Sequence, residues 1–250
     1  MTDSATLACK EFVDGGESRK ALNGVLCLGI YSSGSTWIFN CVLALLTRAH
    51  PQRALRSVYM DSNGFEDLLP WIDADETPVI KSHVCGEVLM AAVHIRRMPI
   101  ILSLRDPRDA IVSLMQRFGS SFESALELVA ASGAVLPRAS RLLPALVIRY
   151  EDGTISNGEA LLQIDALLNT NLGAGDLSDI HQKLLPESVK AKILDTFGDA
   201  TDVGVYDPTT MWHPRHVGDG RTGKHKESLS SEQIVETNSR MAVFNKVYGY

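Results

Sequence analysis

Apolar residues along this chain gather in short runs, and each run closes on small or polar residues. The runs read VLCLGI at 25–30, SVYM at 57–60, TPVIKSH at 77–83, PIILSL at 99–104 and ALVIRY at 145–150. Short, nearly continuous apolar runs are those of strands buried on both faces, as in a parallel sheet. The intervals between them carry a helical period instead. It predicts helices over 36–47, 86–97, 110–118, 156–169 and 186–196, and one over 122–143 with breaks at Gly133 and Pro137. The first of these is apolar nearly all round, so it should be buried. A closing helix over 230–248 starts at Ser230 with Gln233 three residues on, the spacing of a capping box. Residues 1–23 read as a polar N-terminal arm with a short helical piece near Leu7 to Val13. Residues 198–223, with Gly, Pro and basic side chains, read as a loop or lid, the whole lid region reaching to about 229. Strands alternating with helices predict one α/β domain over 24–250, a mostly parallel sheet with helices on both faces.

The stretch VLCLGIYSSGSTWIFN at 25–40 organises the rest. Strand, tight turn and helix in this order place backbone N–H groups around an anion at a helix N-terminus. Gly29 and Gly34 have the G-x-x-x-x-G spacing of a phosphate loop, but Ser35 and Thr36 follow where a nucleotide triphosphatase needs Lys and then Ser/Thr. The cradle is present without the lysine that reaches β/γ-phosphates, which points to a phosphate-containing ligand handled without kinase chemistry. An ordinary strand–turn–helix packed by small residues has the same pattern. Further candidates close the other strands, whose ends face the ligand crevice in parallel sheets. Lys81 and His83, two apart, point to one face of an extended segment, although a histidine at a strand end also serves purely structural roles. Arg105 closes the strongest strand and Ser113 lies two turns into the next helix, an arginine and a hydroxyl able to hold a second phosphate. The competing reading pairs Arg105, Asp106, Arg108 and Asp109 with one another as a surface ion network.

Charge narrows the ligand. The 250 residues carry 24 Lys and Arg against 30 Asp and Glu, a net charge of −6. That balance argues against wholesale binding to nucleic acid or an anionic membrane. Between His213 and Lys226, however, Arg215, Arg221, Lys224, Lys226 and three histidines face a single acid, Asp219. A basic patch on an acidic protein suits a small anion. Cys9, Cys27, Cys41 and Cys85 are scattered with no C-x-x-C spacing, and two lie in strongly apolar runs, as buried free thiols do. This favours a reducing, cytoplasmic setting. Neither a signal peptide nor an apolar run of membrane-spanning length stands out.

In order along the chain, five segments resemble the motifs of the cytosolic-type sulfotransferases that use 3′-phosphoadenosine-5′-phosphosulfate (PAPS). They are Ser33-Gly34-Ser35-Thr36-Trp37, Lys81-Ser82-His83, Arg105 to Asp109 with Ser113, Tyr150-Glu151-Asp152, and Gly220 to Lys226. The resemblance covers about 25–229 and implies a role for each segment. Ser33, Gly34, Ser35 and Thr36 match the loop S-G-T-T-W that holds the 5′-phosphosulfate, with Trp37 against the adenine. Lys81 and His83 match K-T-H, His83 being the general base. Arg105 and Ser113 match the 3′-phosphate site, and Tyr150 the tyrosine beside the adenine. Arg221, Thr222, Gly223 and Lys224 fall in the loop that closes over the nucleotide. The implied reaction is transfer of a sulfuryl group from PAPS to a hydroxyl or amine of a small-molecule acceptor, leaving adenosine 3′,5′-bisphosphate (PAP), with no metal.

Two departures from the family pattern stand out. Ser32 replaces a lysine or arginine that stabilises charge on the oxygen linking sulfate to phosphate. In the C-terminal loop, His225 replaces Trp, and Gly218-Asp219 replaces a common Arg-Lys pair, with Arg221 or Lys224 as candidate substitutes. A protein that binds PAPS or PAP without turnover is therefore the main alternative. A P-loop small-molecule kinase would need a cation at Ser35. Phe65, Trp71, Phe118, Phe122 and Trp212 are candidates for an apolar acceptor pocket or for ordinary core, and the assembly stays open between monomer and homodimer.

Overall fold

The computed structural model describes residues 23–61, 76–153, 155–202 and 204–250. The expected helical piece near Leu7 to Val13, Cys9, Phe65 and Trp71 lie outside the described residues. In chain order the elements are β1 (Val25–Gly29), α1 (Ser35–Ala49), β2 (Leu55–Tyr59), β3 (Thr77–Ser82), α2 (Glu87–Ile95), β4 (Ile100–Leu104), α3 (Pro107–Phe118), α4 (Phe122–Leu142) and β5 (Ala145–Arg149). There follow a 3₁₀ turn (Tyr150–Asp152), α5 (Glu159–Leu168), α6 (Ala174–Leu184), α7 (Pro186–Phe197), α8 (His225–Ser228), α9 (Ser231–Arg240) and α10 (Ala242–Tyr248).

The five strands form one sheet in the order β2-β3-β1-β4-β5, and every pairing is parallel. The three inner strands are buried along their whole length, which is why their sequences are nearly continuous apolar runs. Side chains alternate between two cores. Leu26 and Leu28 of β1 join Ile111, Val129 and Phe244 on one face. Val25 and Cys27 join Phe39, Leu45 and Ile164 on the other. From β1 the chain turns toward β3 and β2, and β4 lies on β1's other side. The C-terminal ends of β1 and β4 thus flank the switch point at which α/β sheets open a ligand crevice. No described helix is long and apolar enough to cross a membrane.

Three segments differ from the sequence expectation. α4 runs unbroken through Gly133 and Pro137. Its buried face, including Leu126, Val129 and Leu136, holds it against the sheet and α10, and that packing outweighs the local preference. Gly133 is a contact point and not a break: a Cβ there would lie 2.3 Å from Met241 Cε. The closing helix is two helices, turning at Met241. The turn lets Phe244 and Tyr248 enter the core while α9 stays mostly exposed. Finally, α6 occupies a stretch for which no helix was expected, and it buries Ile180 and Leu184. The capping box of Ser230 and Gln233 is present in both directions.

Candidate active site

The turn between β1 and α1 is shaped by close packing. A Cβ on Gly29 would sit 1.9 Å from Ser103 Oγ, so only glycine lets β1 and β4 approach here. Ser33 donates its hydroxyl to the carbonyl of Ile30 at 2.6 Å and lies 2.7 Å from Ser103 Oγ. Its side chain therefore faces the sheet and braces the turn from beneath. Ser32 and Gly34 take positive φ, 61° and 84°. Gly34 caps α1 with no side-chain hydrogen bond and no acid in the first turn, which leaves the positive end of the helix to a ligand. Ser35 and Thr36 are buried at the cavity edge, and Trp37 is oriented by Nε1 donating to the Leu184 carbonyl at 2.9 Å.

Arg105 reaches this turn from the end of β4. It is 3% exposed. Nη1 donates to the Ser32 carbonyl at 2.9 Å and Nη2 to the Arg221 carbonyl at 2.8 Å. The guanidinium lies 4.1 Å from the Tyr150 ring centroid, and Nε is buried without a partner. Ser113 faces the same cavity from α3. The expected ion network thus divides: Arg108 pairs with Asp106 at 2.6 Å, Asp109 turns elsewhere, and Arg105 stays out of it.

At the end of β3, Lys81 and His83 lie together as their spacing predicts. Lys81 Nζ is 2.9 Å from His83 Nε2, and His83 Nδ1 is 2.6 Å from the Gly29 carbonyl. A carbonyl only accepts, so Nδ1 carries the proton and Nε2 holds the lone pair. Burial, then the Lys81 charge, lowers His83 to about 3, so the ring is neutral. Burial also lowers Lys81 to about 8. The ring stacks on Tyr31 with centroids 4.1 Å apart.

Beneath the pair lies a residue that had no part in the expected site, Asp61. Its carboxylate accepts the backbone N–H groups of His83 at 2.6 Å and Val84 at 3.0 Å, and the Ser82 hydroxyl at 3.1 Å. It also accepts the hydroxyls of Tyr59 at 2.5 Å and Tyr31 at 3.2 Å. Burial opposes the charge, but these hydrogen bonds outweigh it and hold Asp61 below the usual carboxylate range. Its place just past the end of β2, at the same sheet edge as His83, was the available clue.

The C-terminal segment meets the cavity through Gly218, Asp219 and Gly220, whereas Arg221, Thr222, Gly223 and Lys224 do not line it. The Lys224 ammonium turns inward to Gln116 and Asp219, both at 3.0 Å. Arg221 is exposed and pairs with Asp219 at 3.3 Å and Glu227 at 3.6 Å. Asp109 fastens the segment by accepting the N–H of Gly223, the N–H of His225 at 3.0 Å and His225 Nδ1 at 2.7 Å. His213 and His216 of the basic patch also line the cavity, as does Arg117, which had no part in the expected site. Burial and the Arg117 charge hold His213 at about 4 and His216 well below its usual value.

These groups enclose a cavity of about 730 Å³. Among the described residues its buried and half-buried cations are Lys81, Arg105 and Arg117. The one acid among the described lining residues, Asp219, is already paired. The arrangement is a positively charged cavity at the C-terminal end of a parallel sheet, with a neutral histidine in its wall. No protein-family model matches the sequence, and no curated protein matches it. Solved structures do, and they supply the fold's name: the chain has the sulfotransferase fold. It is similar to mouse sulfotransferase SULT7A1 complexed with PAP, with a TM-score of 0.66 and 15% identity over 98% of this chain and 91% of that one. Retinol dehydratase in complex with retinol and PAP gives 0.64 and 15% over 90% and 82%. Retinol dehydratase with androsterone and inactive cofactor PAP gives 0.61 and 14% over 90% and 81%.

Proposed function

We propose that this protein transfers a sulfuryl group from PAPS to a hydroxyl or amine of a small-molecule acceptor. The observation that carries the reading is His83, whose Nδ1–H is fixed on the Gly29 carbonyl so that its unprotonated Nε2 meets Lys81 at the cavity wall. The residues fit the donor. Gly34 to Thr36 and Lys81 would hold the 5′-phosphosulfate, Ser33 bracing the turn from below. Arg105, through its unpartnered buried Nε, and Ser113 would hold the 3′-phosphate, with Trp37 and Tyr150 at the adenine. Bound PAPS supplies the sulfuryl group and a stable leaving group. His83 Nε2 takes the acceptor's proton, and the Lys81 ammonium offsets charge that develops on the transferring oxygens. The retinol and androsterone of the neighbouring structures support a small-molecule acceptor here. The buried free thiols of Cys27, Cys41 and Cys85 support a cytoplasmic location.

Binding without turnover is the second reading, favoured by Ser32, whose hydroxyl is buried without a partner where the resembled family supplies a cation. Incubation with PAPS and a panel of phenols, alcohols and amines, followed by mass spectrometry for PAP and sulfated product, separates the two. Product formation supports transfer. Tight PAP binding with no product from any acceptor, in wild type and in Ser32→Lys, supports the binding protein.

A further inference from the structure

We infer that Arg117 is a second cation of the 3′-phosphate subsite, standing in for the cations the C-terminal loop lacks at Gly218 and Asp219. This rests on the sulfotransferase reading above. The loop's own candidates are committed elsewhere: Lys224 to Gln116 and Asp219, Arg221 to Asp219 and Glu227. Arg105 is largely committed too, since both of its Nη groups donate to carbonyls and only Nε remains. One N–H and the Ser113 hydroxyl leave most of a doubly charged phosphate, with its three terminal oxygens, unsatisfied.

Arg117 is placed to complete the set. It follows Ser113 by four residues on α3, so the two share a helix face, and both line the cavity. Its Nε donates to the Arg215 carbonyl at 2.9 Å, which fixes the stem. Among the described residues no carboxylate pairs with it and no protein acceptor meets its Nη groups. Gly218 lies against its stem: a Cβ at 218 would stand in ordinary contact, 3.4 Å from Arg117 Cδ, so the loop backbone and the arginine line the same part of the cavity. Burial and the neighbouring Arg105 guanidinium lower Arg117 to about 10. Two guanidiniums held close, with no acid between them, are relieved by an anion that both can reach.

Calorimetric titration of wild type, Arg117→Met and Arg117→Lys with PAP and with adenosine 5′-phosphate tests the assignment. Arg117→Met should weaken PAP by about tenfold or more, the loss expected for a charge-assisted hydrogen bond, and leave adenosine 5′-phosphate within about twofold. Arg117→Lys, which keeps the charge, should recover part of the loss. Unchanged PAP affinity in Arg117→Met would overturn the inference and turn the guanidinium toward the acceptor. Equal losses for both nucleotides, in both variants, would overturn it in favour of a purely structural hold on the loop at Arg215. A wild type that does not prefer PAP to adenosine 5′-phosphate would remove the sulfotransferase reading itself, whatever the variants do.

Discussion

His83 is oriented by its neighbours. The Gly29 carbonyl selects its tautomer, the Asp61 carboxylate holds its backbone, and Tyr31 covers its ring. Removing a general base costs about 10²–10⁴-fold in rate, so His83→Ala should lose transfer on that scale while PAP affinity stays near wild type. Undiminished transfer would move the base elsewhere. The pH profile should be one-sided. His83 is held at about 3, so its neutral form prevails at every working pH. Lys81, lowered to about 8, loses its charge as pH rises through that value. Then kcat/KM should be level from about pH 5 to 7 and fall through about pH 8. An acid limb centred near the ordinary histidine pKa would mean that the ring is more open to solvent than its burial indicates.

At the scale of elements, the anion turn is a product of how β1 meets β4. Gly29 allows the approach, and Ser33 and Ser103 lock it. Gly29→Ala would push a methyl group into Ser103 Oγ and against the Ser103 carbonyl, an overpacking that costs about 1–3 kcal/mol. It should lower the urea midpoint and weaken PAP binding together, and a fully stable variant with unchanged affinity would show that the turn tolerates a wider gap. The elements were legible to the extent that burial left a periodic trace. The inner strands and α1 announce themselves because both faces of the sheet are covered and α1 is buried between layers. α6 was not expected, although its buried Ile180 and Leu184 have the same spacing as Val189 and Ile193 of α7, which was. Gly133 misleads because its partners, Met241 and Phe244, come a hundred residues later. In the site, Lys81 with His83 and Arg105 with Ser113 are local spacings and could be read from the chain. Asp61, Arg117 and the inward turn of Lys224 depend on contacts between distant segments, and the sequence offers little local mark of them beyond the place of Asp61 just past a strand.

The whole molecule sets a positive cavity in a negative body. With a net charge of −6 overall, and Lys81, Arg105 and Arg117 at the cavity, the field converges there, and a small anion is favoured over a polyanion too wide to enter. The same charge distribution bears on metals. The lining acid Asp219 is tied to Lys224 and Arg221, so no free carboxylate among the described lining residues stands ready for a divalent ion. Transfer should be indifferent to EDTA, and activity lost to chelation and regained with Mg²⁺ would return the kinase reading. One carboxylate, finally, decides how such an enclosed nucleotide could leave. Asp109 anchors the C-terminal segment at Gly223 and His225, so the segment is hinged there, and any doorway must open upstream, across Gly218 to Gly220. Amide hydrogen exchange would trace the hinge, with the Gly223 and His225 amides exchanging as slowly as the central strands and those of 218–220 far faster in the free protein. Equal exchange along the whole segment would mean that it swings away as one piece, and that the nucleotide departs by a wider gap than Asp109 permits.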